Sequence, residues 1–403
     1  MIERLLSAKA LKITAVTLLA VYLCLGATWT WQALFDPSAR LGNDFLLFWS
    51  AARLTAEGGA VRAYDAATLL FQERQSFSSM APGLIWVYPP PALLLVRPLA
   101  LLPLWLAFIA WSMAGLAAYL AAVRVMTPGR WPALLALAFP GVFVVLYCGQ
   151  TGLFVAAALG AGLWLVERRP WVAGVLIGLL ACKPQFGVLL PLLLVGTGRW
   201  RTIAAAGATV IGMAVLSLAA FGPEPWMAFI QSLPQVSAAV TGHGFPLHRT
   251  PSMFALVFSM GATREAALAV HAAVAGAVAL ATLALWRCRA PHALKAGSAA
   301  CAVLIATPYL WDYDLPMLAV AGAAIGAVAR ERALSLAERM LLLLIATTPL
   351  LLTALSESMG VSLTGLAVLG CWGGVTAMGW RERKSAAVVS PTRDTLGLAF
   401  TAS

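Results

Sequence analysis

The chain has 403 residues, 61% of them hydrophobic and 11% charged, with a mean hydropathy of +0.87. A soluble globular domain carries roughly 25% charged residues, so a water-covered fold is excluded, and apolar runs from end to end exclude a single anchor on a soluble domain. The net charge of +11 points to basic residues held at cytoplasmic helix ends and not to nucleic acid, because no basic stretch interleaves with aromatic residues.

In lipid every backbone amide must be paired internally, which leaves helical bundles or closed barrels. The runs are rich in Leu, Ala, Val and Gly without period-2 alternation, so helices are expected. The fold class is therefore all-α, a polytopic transmembrane bundle of about 12 spans (10–13). In chain order they fall near 11–35, 104–123, 131–147, 150–166, 170–182, 184–198, 201–221, 265–286, 294–308, 314–329, 338–354 and 360–379. Several are shorter than the ~20 residues a full crossing needs, and such pieces are expected to be half-helices that meet a cavity.

Charge gives an independent threading. With the N-terminus inside, the inner segments hold 19 of the 27 Lys and Arg, and every short inner turn is basic. An even span number then places both termini in the cytoplasm. One membrane domain is expected over 1–384, with two structured outer loops at 36–103 and 222–264. A disordered cytoplasmic tail is expected over 385–403. The six cysteines lie in or beside apolar runs without a CxxC pair and read as small buried hydrophobes.

The first outer loop contains GNDFLLFWSAARL, residues 42–54. Phe45, Phe48, Trp49 and Ala52 follow helical spacing, which predicts an interfacial helix with one apolar face and Arg53 and Glu57 off it. Asn43 and Asp44 stand at its start. Two readings of Asp44 remain open here: an N-cap for the first turn, or a general base held by a rigid helix. Tyr64-Asp65 reads as a cap before a surface helix. Trp86-Val87-Tyr88-Pro89-Pro90-Pro91 reads as extended chain with a helix beginning near Pro91. Tyr88 suits either an interfacial belt or a substrate groove.

Further on, Lys183 stands in an apolar stretch beside Cys182 and Pro184. It reads as a phosphate-binding cation or as a lysine snorkelling to headgroups. Gln150 and Gln185 close short turns and suit sugar hydroxyls or their own turn backbones. The second outer loop carries His243, His248 and Arg249, which read as a set suited to phosphate or as side chains of a solvated loop. With no third clear ligand beside the two histidines, a zinc site is not expected. Trp311, Asp312 and Asp314 form an aromatic-acidic turn that suits either carbohydrate or a loop capping the helix that follows. His271 and His292 receive no role, and Gly174 and Gly178 read as helix packing.

The ordered set NDF-x-x-F-W-x-A-A-R (Asn43 to Arg53), A-Y-D (Ala63 to Asp65), Y-P-P (Tyr88 to Pro90), G-Q-T (Gly149 to Thr151) and K-P-Q (Lys183 to Gln185) resembles glycosyltransferase family 87. The resemblance implies a GT-C fold and a polyprenyl-phosphate sugar donor, with a hexose, mannose-like, moved to a lipid or glycan acceptor hydroxyl. It carries the family's catalytic acid onto Asp44. Donor phosphate contacts are then expected at Lys183, His248 and Arg249, and substrate contacts at Asn43, Tyr88, Gln150, Gln185, His243, Trp311, Asp312 and Asp314. In one stretch the sequence departs from the resemblance: Thr307 to Asp314 carries carboxylates where relatives carry imidazoles, which leaves the sugar open. No cofactor and no divalent metal are expected. A bacterial inner-membrane location with a periplasmic site is expected, and the alternative function is a secondary transporter or lipid-linked sugar flippase.

Overall fold

The computed structural model describes residues 8–35, 42–76, 84–239 and 245–388. Among them there are helices and turns and no strand. The helices are α1 (Ala8–Phe35), α2 (Asn43–Ala56), α3 (Ala66–Ser76), α4 (Pro91–Val96), α5 (Leu104–Met126), α6 (Arg130–Leu137) and α7 (Pro140–Cys148). They continue with α8 (Gly152–Leu165), α9 (Pro170–Gly178), α10 (Leu190–Gly196), α11 (Trp200–Phe221), α12 (Glu224–Ala239) and α13 (Met253–Ser259). The last are α14 (Arg264–Arg287), α15 (His292–Ala306), α16 (Leu318–Ala329), α17 (Leu336–Thr347), α18 (Thr353–Met359) and α19 (Thr364–Val388). The all-α reading holds.

Five described stretches are long and apolar enough to cross a membrane: α5, α11, α14, Asp312–Ala329 and Leu336–Met359. A sixth is available if α6 and α7, bent by 54° at Phe139-Pro140, form one broken span. The other apolar helices are shorter, as in Pro170–Cys182, Pro184–Gly196 and His292–Ala306. The shortness has local causes. Pro170 and Pro184 open their helices at positions where the missing N–H costs nothing, and Lys183 separates the two pieces. Helix α15 is buried on nearly all sides from Leu294 to Ile305, between α8, α14, α16 and α19. A helix sheathed by protein has no lipid thickness to match.

Small residues bring the helices together. A side chain at Gly174 or Gly178 would strike Ala205, Ala206 and Thr209 of α11, so the GxxxG of α9 is a packing face. Helix ends follow ordinary capping chemistry. Ser252 accepts from the Ala255 amide at 3.0 Å, and Ser335 and Glu338 form a reciprocal box at the start of α17.

The segment that carries Asp44 differs from its expected form. Instead of one buried face, α2 buries Phe45, Leu46, Leu47, Phe48, Ser50, Ala51, Ala52 and Leu54. The Arg97–Leu101 turn, α3, α4 and α5 pack around it, so little but Arg53 and Glu57 at its far end is left exposed. Phe48 meets the rings of Trp86, Tyr88 and Trp111 at 5.3–5.8 Å, a cluster that fixes the helix against the extended 84–90 segment. The Tyr64-Asp65 cap is as read: Asp65 Oδ1 accepts from the Thr68 amide at 2.7 Å, and the Thr68 hydroxyl and amide together lower its pKa. The helix at Pro91 also begins where expected.

Candidate active site

Five turns build the site around Asp44. The first is the chain entry to α2. Gly42 adopts φ 70°, and its amide donates to the Tyr147 carbonyl of α7 at 2.9 Å. No side chain caps α2, and Asp44 lies inside its first turn. The N-cap reading of Asp44 is thereby corrected: its Oδ2 accepts from Gln150 Nε2 at 3.1 Å and, among the described residues, from no backbone amide.

The second turn is Gly149-Gln150-Thr151-Gly152, between α7 and α8. Gly149 ends α7 at φ 76°, and a Cβ there would collide with Phe45 of α2. Gly152 meets the Tyr313 carbonyl, again with no room for a side chain. These two glycines let the turn press against α2 on one side and against the 312–317 turn on the other. Gln150 between them is buried, with its Oε1 accepting from the Tyr88 hydroxyl at 3.1 Å.

The other three, around Lys183, at Leu247–Arg249 and at Asp312–Met317, supply the charges. Lys183 lies between two short 3-10 turns, Leu179–Cys182 and Pro184–Phe186. Its Nζ donates to Asp314 Oδ1 at 2.8 Å, and the rings of Tyr313, Phe186 and Tyr88 stand 5.1, 5.6 and 5.8 Å away. Arg249 grips Asp312 with both arms of a fork, Nε to Oδ2 at 2.8 Å and Nη2 to Oδ1 at 2.9 Å. The carboxylates are also tied to their own turn. Trp311 N–H reaches Asp314 Oδ2 at 3.2 Å, and Tyr313 N–H reaches Asp312 Oδ1 at 2.9 Å.

Exposure separates the two cations. The Lys183 and Asp314 side chains are 7% and 2% exposed, whereas that of Arg249 is 32% exposed. Arg249 Nη1 has no hydrogen bond among the described residues, so the fork on Asp312 leaves two N–H donors available. Trp311 lies under the guanidinium at 5.5 Å and stacks on Tyr313.

Burial pushes the Asp44 carboxyl above the ordinary carboxylate range, while the Gln150 N–H and the Arg249 charge pull it back. Burial likewise raises the Tyr88 phenol and keeps it protonated. The result is a carboxylate poised nearer neutrality than a solvated aspartate, the condition that suits a general base.

The structure thus brings together Asp44, Tyr88, Gln150, Lys183, Arg249, Trp311, Asp312 and Asp314. His248 turns elsewhere, with Nε2 4.0 Å from Glu357 of α18. Gln185 offers its carbonyl to Thr307, and its side chain is half-buried. His243 and the Asn43 side chain lie outside the described residues. Sequence reasoning passed over Cys148, whose Sγ meets Arg249 Nη2 at 3.7 Å, and over Tyr313 and Phe186, which wall in Lys183. Tyr313 was signalled by its place between the two aspartates, whereas Cys148 carried no signal beyond its position before the Gly-Gln-Thr turn. No group of three or more His, Cys, Asp or Glu is arranged to hold a metal among the described residues.

Neither the curated proteins nor the solved structures contain a match to this chain. The model of glycosyltransferase family 87 matches residues 86–308, a span that includes Tyr88, Gln150, Lys183, His248 and Arg249 and stops just short of Asp312. With more than half its length matched, and with apolar helices long enough to cross a membrane, the chain belongs to glycosyltransferase family 87.

Proposed function

We propose that this membrane glycosyltransferase moves a hexose from a polyprenyl-phosphate sugar to an acceptor hydroxyl, with inversion, on the periplasmic side of a bacterial inner membrane. Asp44 is the general base. The acceptor oxygen attacks the anomeric carbon while its proton passes to the Asp44 carboxylate. The bond from that carbon to the phosphate oxygen breaks, and the phosphate leaves with the electron pair. A phosphate is a good leaving group once its charge is met, so one carboxylate suffices where a glycosidase needs two.

The observation that carries this reading is the pairing of a half-buried, amide-held Asp44 with the reachable Arg249 fork. Arg249 Nη1 would meet the leaving phosphate while Asp312 holds the rest of the guanidinium in place. Lys183, locked to Asp314, contributes fixed positive charge behind it. Trp311, half-buried beside the Arg249 guanidinium, offers an aromatic contact to a sugar ring.

An apolar cavity supports the lipid-linked donor. About 550 Å³ in volume, it is lined by Pro89, Pro184, Leu190, Val210, Trp226 and Phe229 among others. Two of its lining residues, Pro89 and Pro184, are the chain neighbours of Tyr88 and Lys183. A chain of isoprene units would lie in it with its phosphate among the cations. The family match favours transfer over the alternative of a transporter or flippase.

The test is purified protein in liposomes given radiolabelled polyprenyl-phosphate mannose, glucose or galactose together with a lipid extract as acceptor. Movement of label to acceptor supports the reading, and label that stays on every donor overturns it. Chelator added to the same assay leaves turnover unchanged, since cationic side chains meet the phosphate. Loss of turnover restored by Mg²⁺ would contradict that part.

A further inference from the structure

Between Tyr88 and Asp44 runs a chain of two side-chain hydrogen bonds. The Tyr88 hydroxyl donates to Gln150 Oε1 at 3.1 Å, and Gln150 Nε2 donates to Asp44 Oδ2 at 3.1 Å. The orientation of the amide is not arbitrary. The Thr151 amide, which can only donate, points at Gln150 Oε1 at 3.3 Å. Its oxygen is therefore on the Tyr88 side, and its nitrogen must face the carboxylate. We propose that Tyr88 and Gln150 are positioning residues that aim and hold Asp44 as an ionised acceptor, leaving Oδ1 to receive the proton of the incoming hydroxyl. The inference rests on Asp44 being the base.

Three physical points support it. A donor fixed on one carboxylate oxygen restricts the rotation of the group and stabilises its charged form. Two donors on Oε1 polarise the amide and strengthen the N–H that Asp44 receives. Oδ1 has no hydrogen bond among the described residues, so the reacting oxygen is left open. The Gly-Gln-Thr-Gly turn thereby acts as one unit. Its glycines allow the close approach, Gln150 reaches Asp44, and the Thr151 amide sets which way round Gln150 lies.

Other groups also act on Asp44 and set the background against which this chain works. Lys183 and Arg249 favour its ionised form, and Asp312 opposes it. Cys148, Tyr88 and Tyr313 also face it. None of these but Tyr88 is changed in the test that follows.

Tyr88→Phe keeps the ring against Phe48 and removes only the hydroxyl, and Gln150→Ala removes the whole link. Two readouts are taken on the full chain in liposomes. One is the infrared carboxylate band of Asp44, isolated as wild type minus Asp44→Asn and titrated with pH. The other is transfer from radiolabelled polyprenyl-phosphate sugar against pH. Removing a donor to the ionised form raises the pKa. Gln150→Ala is therefore expected to move the midpoint up by roughly one pH unit. Tyr88→Phe moves it in the same direction by less. In both variants kcat at neutral pH falls more than KM rises.

An unmoved midpoint in both variants, or a loss confined to KM, would overturn the proposal and return Tyr88 and Gln150 to sugar contacts. If Asp44→Asn retains transfer, the reading of Asp44 as base fails on its own account. The infrared titration still reports whether the chain holds the carboxylate.

Discussion

Lys183 and Asp314 stand 131 positions apart in the chain and meet at 2.8 Å, with both side chains almost wholly withdrawn from solvent. The contact ties the break between α9 and α10 to the turn that precedes α16. An ion pair placed this deep is held by mutual need, since either charge alone would be stranded among Tyr88, Phe186 and Tyr313. Lys183→Met or Asp314→Asn alone is expected to lower stability by about 3–5 kcal/mol. Lys183→Met combined with Asp314→Leu is expected to regain much of it. Thermal unfolding in one detergent, followed for the three variants side by side, checks both statements. A double-variant loss equal to the sum of the two single losses would show that the pair contributes no coupling.

Arg249 depends on geometry more than on charge. Its fork matches the two Asp312 oxygens and still presents Nη1 outward, which an ammonium cannot do. Arg249→Lys is expected to raise KM for the lipid donor about 10- to 100-fold, the worth of one lost charge-assisted bond. Folding should survive, because the retained cation still faces Asp312. Initial rates against donor concentration decide it, and an unchanged KM would remove Arg249 from the phosphate site.

The pH dependence follows from the raised pKa of Asp44. Below that pKa the carboxyl is protonated and cannot take a proton from the acceptor. Activity therefore rises with pH through a limb that lies above the ordinary aspartate range. Folding responds in the opposite sense at this group. A carboxyl whose folded pKa is raised is favoured in its protonated form, so its contribution to stability is lost as pH rises through the folded value. A pH–rate profile with its acid limb at the solvated aspartate value would contradict the account.

The turn at Gly149 gives a stability prediction. Its φ of 76° and its contact with Phe45 leave no place for a Cβ. Gly149→Ala is expected to cost about 1–3 kcal/mol and to lower transfer as well, because it pushes Gln150 away from Asp44. Unfolding temperature and turnover, measured on one preparation, should fall together.

Much of this was legible in the sequence, for reasons that can be named. Apolar excess and the absence of period-2 alternation compel a helical membrane protein, and local rules place the Asp65 cap, the helix at Pro91 and the packing face of Gly174 and Gly178. The site residues were visible as polar groups out of keeping with their surroundings: Lys183 in an apolar stretch, Gln150 in a tight turn, two aspartates beside Trp311. Their pairing was not visible. Nothing local says that Lys183 takes Asp314 while Arg249 takes Asp312, since that choice is made by helices that meet only in the fold. Asp44 misled as a cap because its chemistry and position suit one. Only the approach of Gln150, 106 positions away, assigns its oxygen elsewhere. The short pieces at 170–182 and 184–198 were legible as too short for a full crossing, whereas hydropathy alone does not say how many of the 12 expected spans cross. The buried surround of α2 likewise comes from segments distant in sequence, which a single-helix apolar stripe cannot show.

The central claim is that Asp44 is the base for glycosyl transfer, and one substitution tests it most directly. Asp44→Asn preserves the shape of the side chain but removes its capacity to take a proton. Transfer from radiolabelled polyprenyl-phosphate sugar is compared with wild type in liposomes at equal protein. The account predicts a loss of about 10²- to 10⁴-fold with the unfolding temperature little changed. Transfer within a few-fold of wild type would contradict it.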